Sequence, residues 1–244
     1  MRLVLLLAAL AGTAAAEEFE TRPPLITTPP EVVERMLAMA GTQSGDFVVD
    51  LGSGDGRIVI AAAQKFGARG LGIELDGVLV EKSRAAARGA KVEDKVSFVQ
   101  GDVLTADISR ASVITVYLLP SLMAKLQARF IDELAPGTRI VSHAFAMAGW
   151  APDASELVRL KQRHAGQGDE STLRLWIVPA QVRGVWRGGG MTLRIEQNYQ
   201  KIDVEGARAA LLSGREIRWD GFRGRVDGDR IIGELAGRAV ELRR

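Results

Sequence analysis

Acidic residues and glycines of this 244-residue chain fall at spacings that could hold a nucleoside. The run Asp50-Leu51-Gly52-Ser53-Gly54-Asp55-Gly56 lies between an apolar, strand-like segment and a helix-like one. Glycines allow a tight turn against which a ligand can lie, and a helix start offers free N–H groups. Glu74 lies 18 residues after Gly56, and its carboxylate can accept hydrogen bonds from two ribose hydroxyls. Asp102 follows a further apolar segment, and its carboxylate can accept a hydrogen bond from the amino group of adenine.

The elements that must position these residues alternate between strand-like and helix-like patterns. We expect seven strands, at 47–51, 70–75, 96–99, 112–119, 138–145, 156–163 and 172–178. Helices are expected at 58–66, 77–88 and 121–134, after a first helix that begins with the capping box Thr28-Pro29-Pro30-Glu31. Apolar strands alternating with helices indicate a parallel sheet covered on both faces, and the last two strands should pair antiparallel. The polar positions then meet at the carboxyl ends of adjacent strands, where open α/β sheets bind ligands.

The composition is that of a globular protein, with 47% apolar and 25% charged residues. Cysteine is absent, which excludes disulfides, thiolate zinc sites and a cysteine nucleophile. Only His143 and His164 are present, so we expect no metal site. The net charge of +2 is too balanced to predict nucleic-acid binding.

The first sixteen residues follow the pattern of a secretory signal peptide. A basic start, Met1-Arg2, precedes the apolar run from Leu3 to Leu10, and small residues end at Ala16. The run is too short for a permanent membrane span. We expect cleavage after Ala16 and export to the periplasm, whereas an uncleaved anchor or a misassigned start would leave the protein anchored or cytoplasmic. Residues 17–27 are polar and proline-bearing and are predicted to form a linker.

The composition changes after Pro179. Residues 181–244 contain no proline and 11 of the 27 glycines, with 13 basic and 9 acidic residues. Short alternating runs are separated there by glycine-containing turns, which predicts a small antiparallel β module beyond a main domain at 28–179. Its aromatic residues lie among arginines, a pattern found in nucleic-acid-binding proteins, but a small β core is the simpler interpretation.

The main domain resembles the class I, seven-stranded S-adenosylmethionine-dependent methyltransferases. The resemblance is carried by V-V-D-L-G-S-G-D-G-R, G-I-E-L-D and F-V-Q-G-D-V-L, in that order. Two further stretches, V-Y-L-L-P-S-L-M and the residues from His143 to Trp150, resemble the small mitochondrial-type protein-lysine methyltransferases. Members of that group act on the adenine nucleotide translocase and on the c-subunit of ATP synthase. The resemblance implies a Rossmann-like sheet, S-adenosyl-L-methionine as cofactor and methylation of a protein lysine or another amine.

The same resemblance assigns roles to individual residues. Asp50, Gly52 and Gly54 would hold the methionine portion of the cofactor, and Glu74 its ribose. At the adenine, Leu75 would pack on the base and Asp102 and Val103 would meet its edge. From the N-terminal side, Thr28 and Pro29 would close over the cofactor.

Two residues are candidates for a catalytic role in methyl transfer. Tyr117 opens the Tyr117-Leu118-Leu119-Pro120 segment, where the family places the methyl-transfer opening, and it could instead line the core. His143 lies near the C-terminal end of the fifth predicted strand and could polarise a nucleophile, although such a histidine can also be structural. Methyl transfer from a sulfonium is an in-line displacement that mainly requires alignment, so no catalytic triad is expected.

Two other functions remain open from the sequence. An exported protein could retain the fold as a non-catalytic binding protein, because the cofactor is made in the cytoplasm. A nicotinamide oxidoreductase is disfavoured because Arg57 breaks the G-x-G-x-x-G pattern. The expected partner is a protein or small amine that accepts a methyl group, with no nucleic acid and no permanent membrane span, and the sequence does not indicate the oligomeric state.

Overall fold

The computed structural model describes residues 26–161 and 168–244, and a seven-stranded sheet forms its first part. The strands are β1 (Phe47–Leu51), β2 (Arg69–Glu74), β3 (Val96–Gln100), β4 (Val113–Val116), β5 (Arg139–His143), β6 (Ala154–Arg159) and β7 (Glu170–Ile177). Their spatial order is β3-β2-β1-β4-β5-β7-β6. Strand β7 runs opposite to the other six strands. The seven strands and the antiparallel final pair are therefore confirmed. The predicted signal peptide at 1–16, residues 17–25 of the predicted linker and His164 lie outside the described residues.

Four helices cover the two faces of this sheet. They are α1 (Pro30–Met39), α2 (Arg57–Phe66), α3 (Gly77–Gly89) and α4 (Pro120–Glu133). Adjacent residues of β1 enter different cores, because Val48 packs with α1 and α2 whereas Val49 packs with α4. Cover on both faces explains why every residue of the central strand β4 is buried, whereas buried and more exposed residues alternate along the outer strands β3 and β6. Among the helices described, none combines the length and the apolar character that a bilayer crossing requires.

The fourth and fifth predicted strands end two or more residues earlier in the structure than in the sequence prediction, and the sixth ends at Arg159 instead of residue 163. The fourth stops at Val116 because Leu119 is the N-cap of helix α4 and Pro120, which lacks the N–H that a strand ladder needs, occupies the first helical position. The fifth stops at His143 because Ala144 turns the chain with a φ of 68°. Tyr117 and Phe145 therefore lie beyond the ends of β4 and β5, at the edge of the sheet.

The predicted capping box at the start of α1 is wrong. Pro30 does occupy the first helical position, but the N-cap is Pro29 and no side chain caps the helix. The Thr28 hydroxyl contacts His143 instead. By contrast, the Asp76 side chain accepts a hydrogen bond from the backbone N–H of Val78 and caps α3.

The C-terminal part forms the predicted antiparallel β module, which is a second sheet of eight strands. They are β8 (Gly184–Gly188), β9 (Met191–Asn198), β10 (Lys201–Val204), β11 (Leu211–Ser213), β12 (Glu216–Trp219), β13 (Phe222–Asp227), β14 (Arg230–Leu235) and β15 (Arg238–Arg243). Their order is β10-β9-β8-β15-β14-β13-β12-β11, which leaves β10 and β11 as the two edges of a strongly curled sheet. Its core is aromatic and aliphatic, with Trp186, Ile195 and Phe222 almost fully buried.

The second sheet docks on the first through the turn between β9 and β10. The Tyr199 ring stacks on Trp150 with centroids 5.0 Å apart, and its hydroxyl accepts a hydrogen bond of 2.7 Å from Gln127 of α4. Gln127 also donates to the carbonyl of Ala148, and Gln200 donates to that of Ala151. The turn therefore fixes the segment 144–153 that leads away from β5.

Candidate active site

The glycine-rich turn between β1 and α2 forms the floor of a cleft at the carboxyl edge of the sheet. The backbone N–H groups of Gly52 and Ser53 both donate to the carbonyl of Ile73 on β2. Gly56 has a φ of 79°, and a Cβ atom at this position would lie 2.7 Å from the Phe98 ring. A glycine is thus required there both by the left-handed backbone and by the close approach of β3.

Glu74, at the end of β2, is held by the turn that precedes it in the chain. One carboxylate oxygen accepts a hydrogen bond of 2.8 Å from the N–H of Gly54, and the other accepts one of 3.0 Å from the N–H of Asp76. Each oxygen of a carboxylate can accept a further hydrogen bond. The arrangement therefore fixes the carboxylate beside the glycine turn. Each oxygen can still accept a hydrogen bond from a hydroxyl group, which suits the two hydroxyls of a ribose.

The ends of β2 and β3 form a surface suited to a flat base. Leu75 is 51% exposed, which is unusual for a leucine that follows a buried strand. The exposed Asp102 follows β3, and its carboxylate accepts from the N–H of Leu104. The side chain of Val103 is buried in the core, so Val103 can face a ligand only through its backbone. A base stacked on Leu75 would meet an acceptor at Asp102.

Asp50 is a buried carboxyl group below the glycine turn. It is 2% exposed and accepts a hydrogen bond of 2.7 Å from the hydroxyl of Thr115. Burial raises the pKa of Asp50 to about 7, although the bond from Thr115 opposes the shift. A cationic ligand in the cleft would favour the ionised carboxylate, so Asp50 suits the positively charged end of a ligand.

Arg57 clamps the N-terminal segment over the same cleft, a role that the sequence analysis missed. Its guanidinium pairs with both carboxylate oxygens of Asp55, at 2.8 and 2.6 Å, and donates to the carbonyl of Thr28 at 3.0 Å. Burial acts to raise the pKa of Asp55, but the hydrogen bonds and charge of Arg57 outweigh it and leave that pKa below its usual value. No sequence signal pointed to this contact, because it joins residues on separate elements.

His143 holds the other side of Thr28. Its Nδ1 atom lies 3.1 Å from the Thr28 hydroxyl and its Nε2 atom 3.0 Å from the Ser171 hydroxyl. The imidazole is 1% exposed, and burial lowers the pKa of His143 to about 4. The ring is therefore neutral near pH 7, with both nitrogens hydrogen-bonded. This geometry fits a residue that positions Thr28 better than one that accepts a substrate proton.

Tyr117 and Phe145 extend the site as an aromatic wall. The half-buried Tyr117 lines the cleft together with the glycine turn and residues 26–28, and its ring lies 4.2 Å from that of His143. The Phe145 ring is 6.0 Å away on a near-parallel plane. Phe145 is brought there by a γ-turn at Ala144, whose positive φ is a rare and strained conformation for a residue with a side chain.

The structure thus brings most of the predicted site residues together. Thr28, Asp50, Gly52, Gly54 and Tyr117 line one cleft. The hydrogen bond from Gly54 connects this cleft to Glu74, and the N–H of residue 101 donates to the carbonyl of residue 74, which connects the ends of β2 and β3. Within 26–161 and 168–244, no group of three or more His, Asp or Glu residues is placed to hold a metal ion.

The residues fit S-adenosylmethionine in chemical type as well as position. Its ammonium and sulfonium charges would lie near the buried Asp50, its ribose diol at Glu74 and its adenine between Leu75 and Asp102. A doubly wound sheet that carries this cleft at the carboxyl edge defines a nucleoside-binding α/β protein of the class I methyltransferase type.

Comparisons with known proteins identify the family. The family described as ANTKMT methyltransferase domain matches residues 50–154. A protein-lysine N-methyltransferase of Saccharolobus islandicus is 40% identical over 130 residues, which are 53% of this chain and 81% of that protein. The human lysine N-methyltransferase named for the ATP synthase C-subunit is 33% identical over 53% of this chain and 55% of its own length. The chain therefore spans about half the length of this animal relative.

A solved structure agrees with the fold. The crystal structure of an RNA methyltransferase from Salinibacter ruber, in complex with S-adenosyl-L-homocysteine, has a TM-score of 0.58 and 48% identity, covering 64% of this chain and 96% of that one. This chain belongs to the ANTKMT family of S-adenosylmethionine-dependent methyltransferases. S-adenosyl-L-methionine is accordingly its cofactor.

Proposed function

We propose that this protein transfers the methyl group of S-adenosylmethionine to the side-chain amine of a lysine in a protein. The observation that carries this proposal is the aromatic wall of Tyr117 and Phe145, which adjoins the cleft at the glycine turn. Aromatic faces attract ammonium and methylated amine groups and pack against a lysine stem. The protein-lysine N-methyltransferases among the relatives support the same acceptor class.

The mechanism that we propose relies on alignment rather than on a strong base. The cofactor supplies an activated methyl group on a sulfonium. Glu74 and the glycine turn hold the nucleoside end, while Thr28, fixed by Arg57 and His143, covers the methionine end. Tyr117 orients the acceptor amine, and the closed N-terminal segment excludes water, so that nucleophile, methyl group and leaving group lie in line.

The acceptor lysine must be neutral before it attacks. Removal of the acceptor amine from water in the closed cleft lowers its pKa, because desolvation disfavours the charged form. His143 is neutral itself and does not add a positive charge beside the amine. In this proposal Tyr117 contacts the acceptor, and His143 acts through the position of Thr28 and of the Tyr117 ring.

We also propose that the protein is exported and acts outside the cytoplasm, in the periplasm, after cleavage behind Ala16. The basic, apolar and small-residue order of residues 1–16 supports this location. Because the cofactor is made in the cytoplasm, the same segment favours a second candidate function, an exported binding protein that retains the fold without catalysis. The mass of the mature N-terminus tests the location: a chain starting at Glu17 agrees, and a chain retaining Met1 contradicts it.

Transfer of a tritiated methyl group tests the reaction. The purified full chain is incubated with labelled cofactor and separated cell fractions, and the labelled material is hydrolysed and identified. We expect label in methylated lysine, reduced strongly in Tyr117→Ala and less in Tyr117→Phe, and Tyr117→Phe, which keeps the ring in the cleft, should bind S-adenosylhomocysteine as the wild type does. Label confined to RNA would overturn the lysine proposal, and the absence of label in every fraction would favour the non-catalytic alternative.

A further inference from the structure

Arg129 joins helix α4 to the turn at residues 102–106, which follows β3. Its Nη1 atom donates to the carbonyl of Val103 at 2.7 Å, and its Nη2 atom donates to the carbonyl of Ala106 at 2.6 Å. Glu133, four residues further along α4, accepts from Nε and from Nη2, each at 2.6 Å. The rigid, planar guanidinium is therefore fixed between this carboxylate and the two carbonyls of the turn.

The 102–106 turn directs the N–H of Val103 outwards. The carbonyl of Asp102 accepts from the N–H groups of Thr105 at 3.1 Å and of Ala106 at 2.9 Å, inside the turn. Because the C=O and N–H bonds of a trans peptide point in opposite directions, the N–H of Val103 points away from these two donors. Within residues 26–161 and 168–244, this N–H has no hydrogen-bond acceptor.

The next peptide group connects Arg129 to the side chain of Asp102. Its carbonyl, which belongs to Val103, accepts from Arg129, and its N–H, which belongs to Leu104, donates to Oδ1 of Asp102 at 2.8 Å. A rotation of this peptide group would move the Asp102 carboxylate and the N–H of Val103. Arg129 therefore fixes the direction of one acceptor and one donor at the edge of the sheet, although it touches neither of them.

This acceptor and this donor complement the edge of adenine. Adenine presents an acceptor, N1, beside a donor, the 6-amino group, and these match the N–H of Val103 and the carboxylate of Asp102. Hypoxanthine presents the reverse pattern, a donor at N1 and an acceptor at O6. A site with a fixed donor and acceptor rejects the reversed pattern because its polar groups are left unpaired, whereas a turn that can rotate discriminates less.

We propose that Arg129 is a positioning residue that sets the selectivity of the cofactor site for adenine over hypoxanthine. It acts through the 102–106 turn and not by contact with the base, so its effect on selectivity depends on Asp102. This role depends on S-adenosylmethionine as the cofactor and is independent of the lysine proposed as the methyl acceptor.

Calorimetric titration of the full chain with S-adenosylhomocysteine and with S-inosylhomocysteine, which differ in the base alone, tests this role. The wild type should bind the adenine compound at least about 30-fold more tightly. Arg129→Lys keeps the positive charge beside Glu133 but cannot span two carbonyls, so the ratio of the two dissociation constants should fall at least about fivefold. Arg110→Lys is the matched control, because its guanidinium packs on the Phe47 ring instead of the turn, and it should keep the wild-type ratio.

Two further variants separate positioning from a general effect on the fold. In Asp102→Ala, which lacks the acceptor, the addition of Arg129→Lys should change the ratio by less than about twofold. Glu133→Gln leaves Arg129 in place but turns one of its acceptor oxygens into a donor, so the ratio should fall by about threefold even if Arg129→Lys does not fold. Inactive protein lowers the measured stoichiometry and leaves the dissociation constants unchanged.

Three results would overturn the proposal. They are an unchanged ratio in Arg129→Lys or in Glu133→Gln, an undiminished effect of Arg129→Lys in the Asp102→Ala background, and equal binding of the two compounds by the wild type. Failure of the folded wild type to bind either compound would contradict the cofactor site and this role with it. None of these results bears on the acceptor, which the transfer of labelled methyl groups tests separately.

Discussion

Two buried groups of the site should make opposite contributions to the pH dependence of stability. Burial lowers the pKa of His143 from 6.5 to about 4, so between these values the unfolded chain binds the proton that the folded chain does not. This contribution to stability is complete above pH 6.5 and is lost as the pH falls. Burial raises the pKa of Asp50 from 3.8 to about 7, so its contribution is present at low pH and is lost as the pH rises towards 7.

The expected magnitudes follow from these values. Lowering the pH from 7.5 to 5 should destabilise the fold by about 2 kcal/mol through His143 and stabilise it by about 2.5 kcal/mol through Asp50. The two contributions nearly cancel in the wild type. Asp50→Asn should therefore be less stable at pH 5 than at pH 7.5 by about 2 kcal/mol, whereas His143→Gln should be more stable at pH 5 by a similar amount.

Urea unfolding followed by tryptophan fluorescence at both pH values measures these differences. Each variant is compared with itself, so the constant cost of its substitution cancels. The change between pH values in the wild type serves as the reference for all other titrating groups. If Asp50→Asn and His143→Gln showed the same pH response as the wild type, Asp50 would not be buried as a protonated acid and His143 would not be buried as a neutral imidazole.

Three further substitutions test other parts of the structure. Arg57→Ala should weaken S-adenosylhomocysteine binding about tenfold in calorimetry, because the carbonyl of Thr28 loses a charged donor worth about 1.5 kcal/mol, and unchanged affinity would show that the clamp does not matter. Tyr199→Ala should lower the free energy of unfolding by about 2 kcal/mol through lost packing on Trp150. Tyr199→Phe, which loses only the hydroxyl, should lower it by about 1 kcal/mol. Equal losses in the two variants would contradict the stack. Gly56→Ala should cost at least about 2 kcal/mol of unfolding free energy, measured with urea, because of its positive φ and the crowding at its Cβ; a neutral effect would contradict the turn geometry.

The sequence predicted those parts of the site that depend on the end of a single strand. Asp50 and Glu74 lie at the ends of β1 and β2, and Asp102 follows β3, so the parallel strands bring all three to one edge of the sheet. The order of the motifs was therefore enough to predict the sheet, the cleft and the cofactor class. The antiparallel module was likewise predictable, because its alternation and glycine turns are local signals.

The parts that sequence analysis missed depend on contacts between distant elements. Arg57 was interpreted only as a break in a glycine motif, whereas it joins the N-terminal segment to the turn. Thr28 was expected to cap α1, but His143 on β5 competes for its hydroxyl. Neither local propensity nor spacing encodes such a competition.

Calorimetric titration with S-adenosylhomocysteine tests the central claim, that the cleft at the carboxyl edge binds the cofactor through Glu74. The wild type should bind with measurable heat, and Glu74→Ala should weaken the affinity about 100-fold, since two hydrogen bonds to a charged group are together worth about 3 kcal/mol. Glu93→Ala, which removes an exposed acid elsewhere on the surface, should leave the affinity unchanged. Absence of binding by the folded wild type, or equal affinity of Glu74→Ala, would contradict the claim.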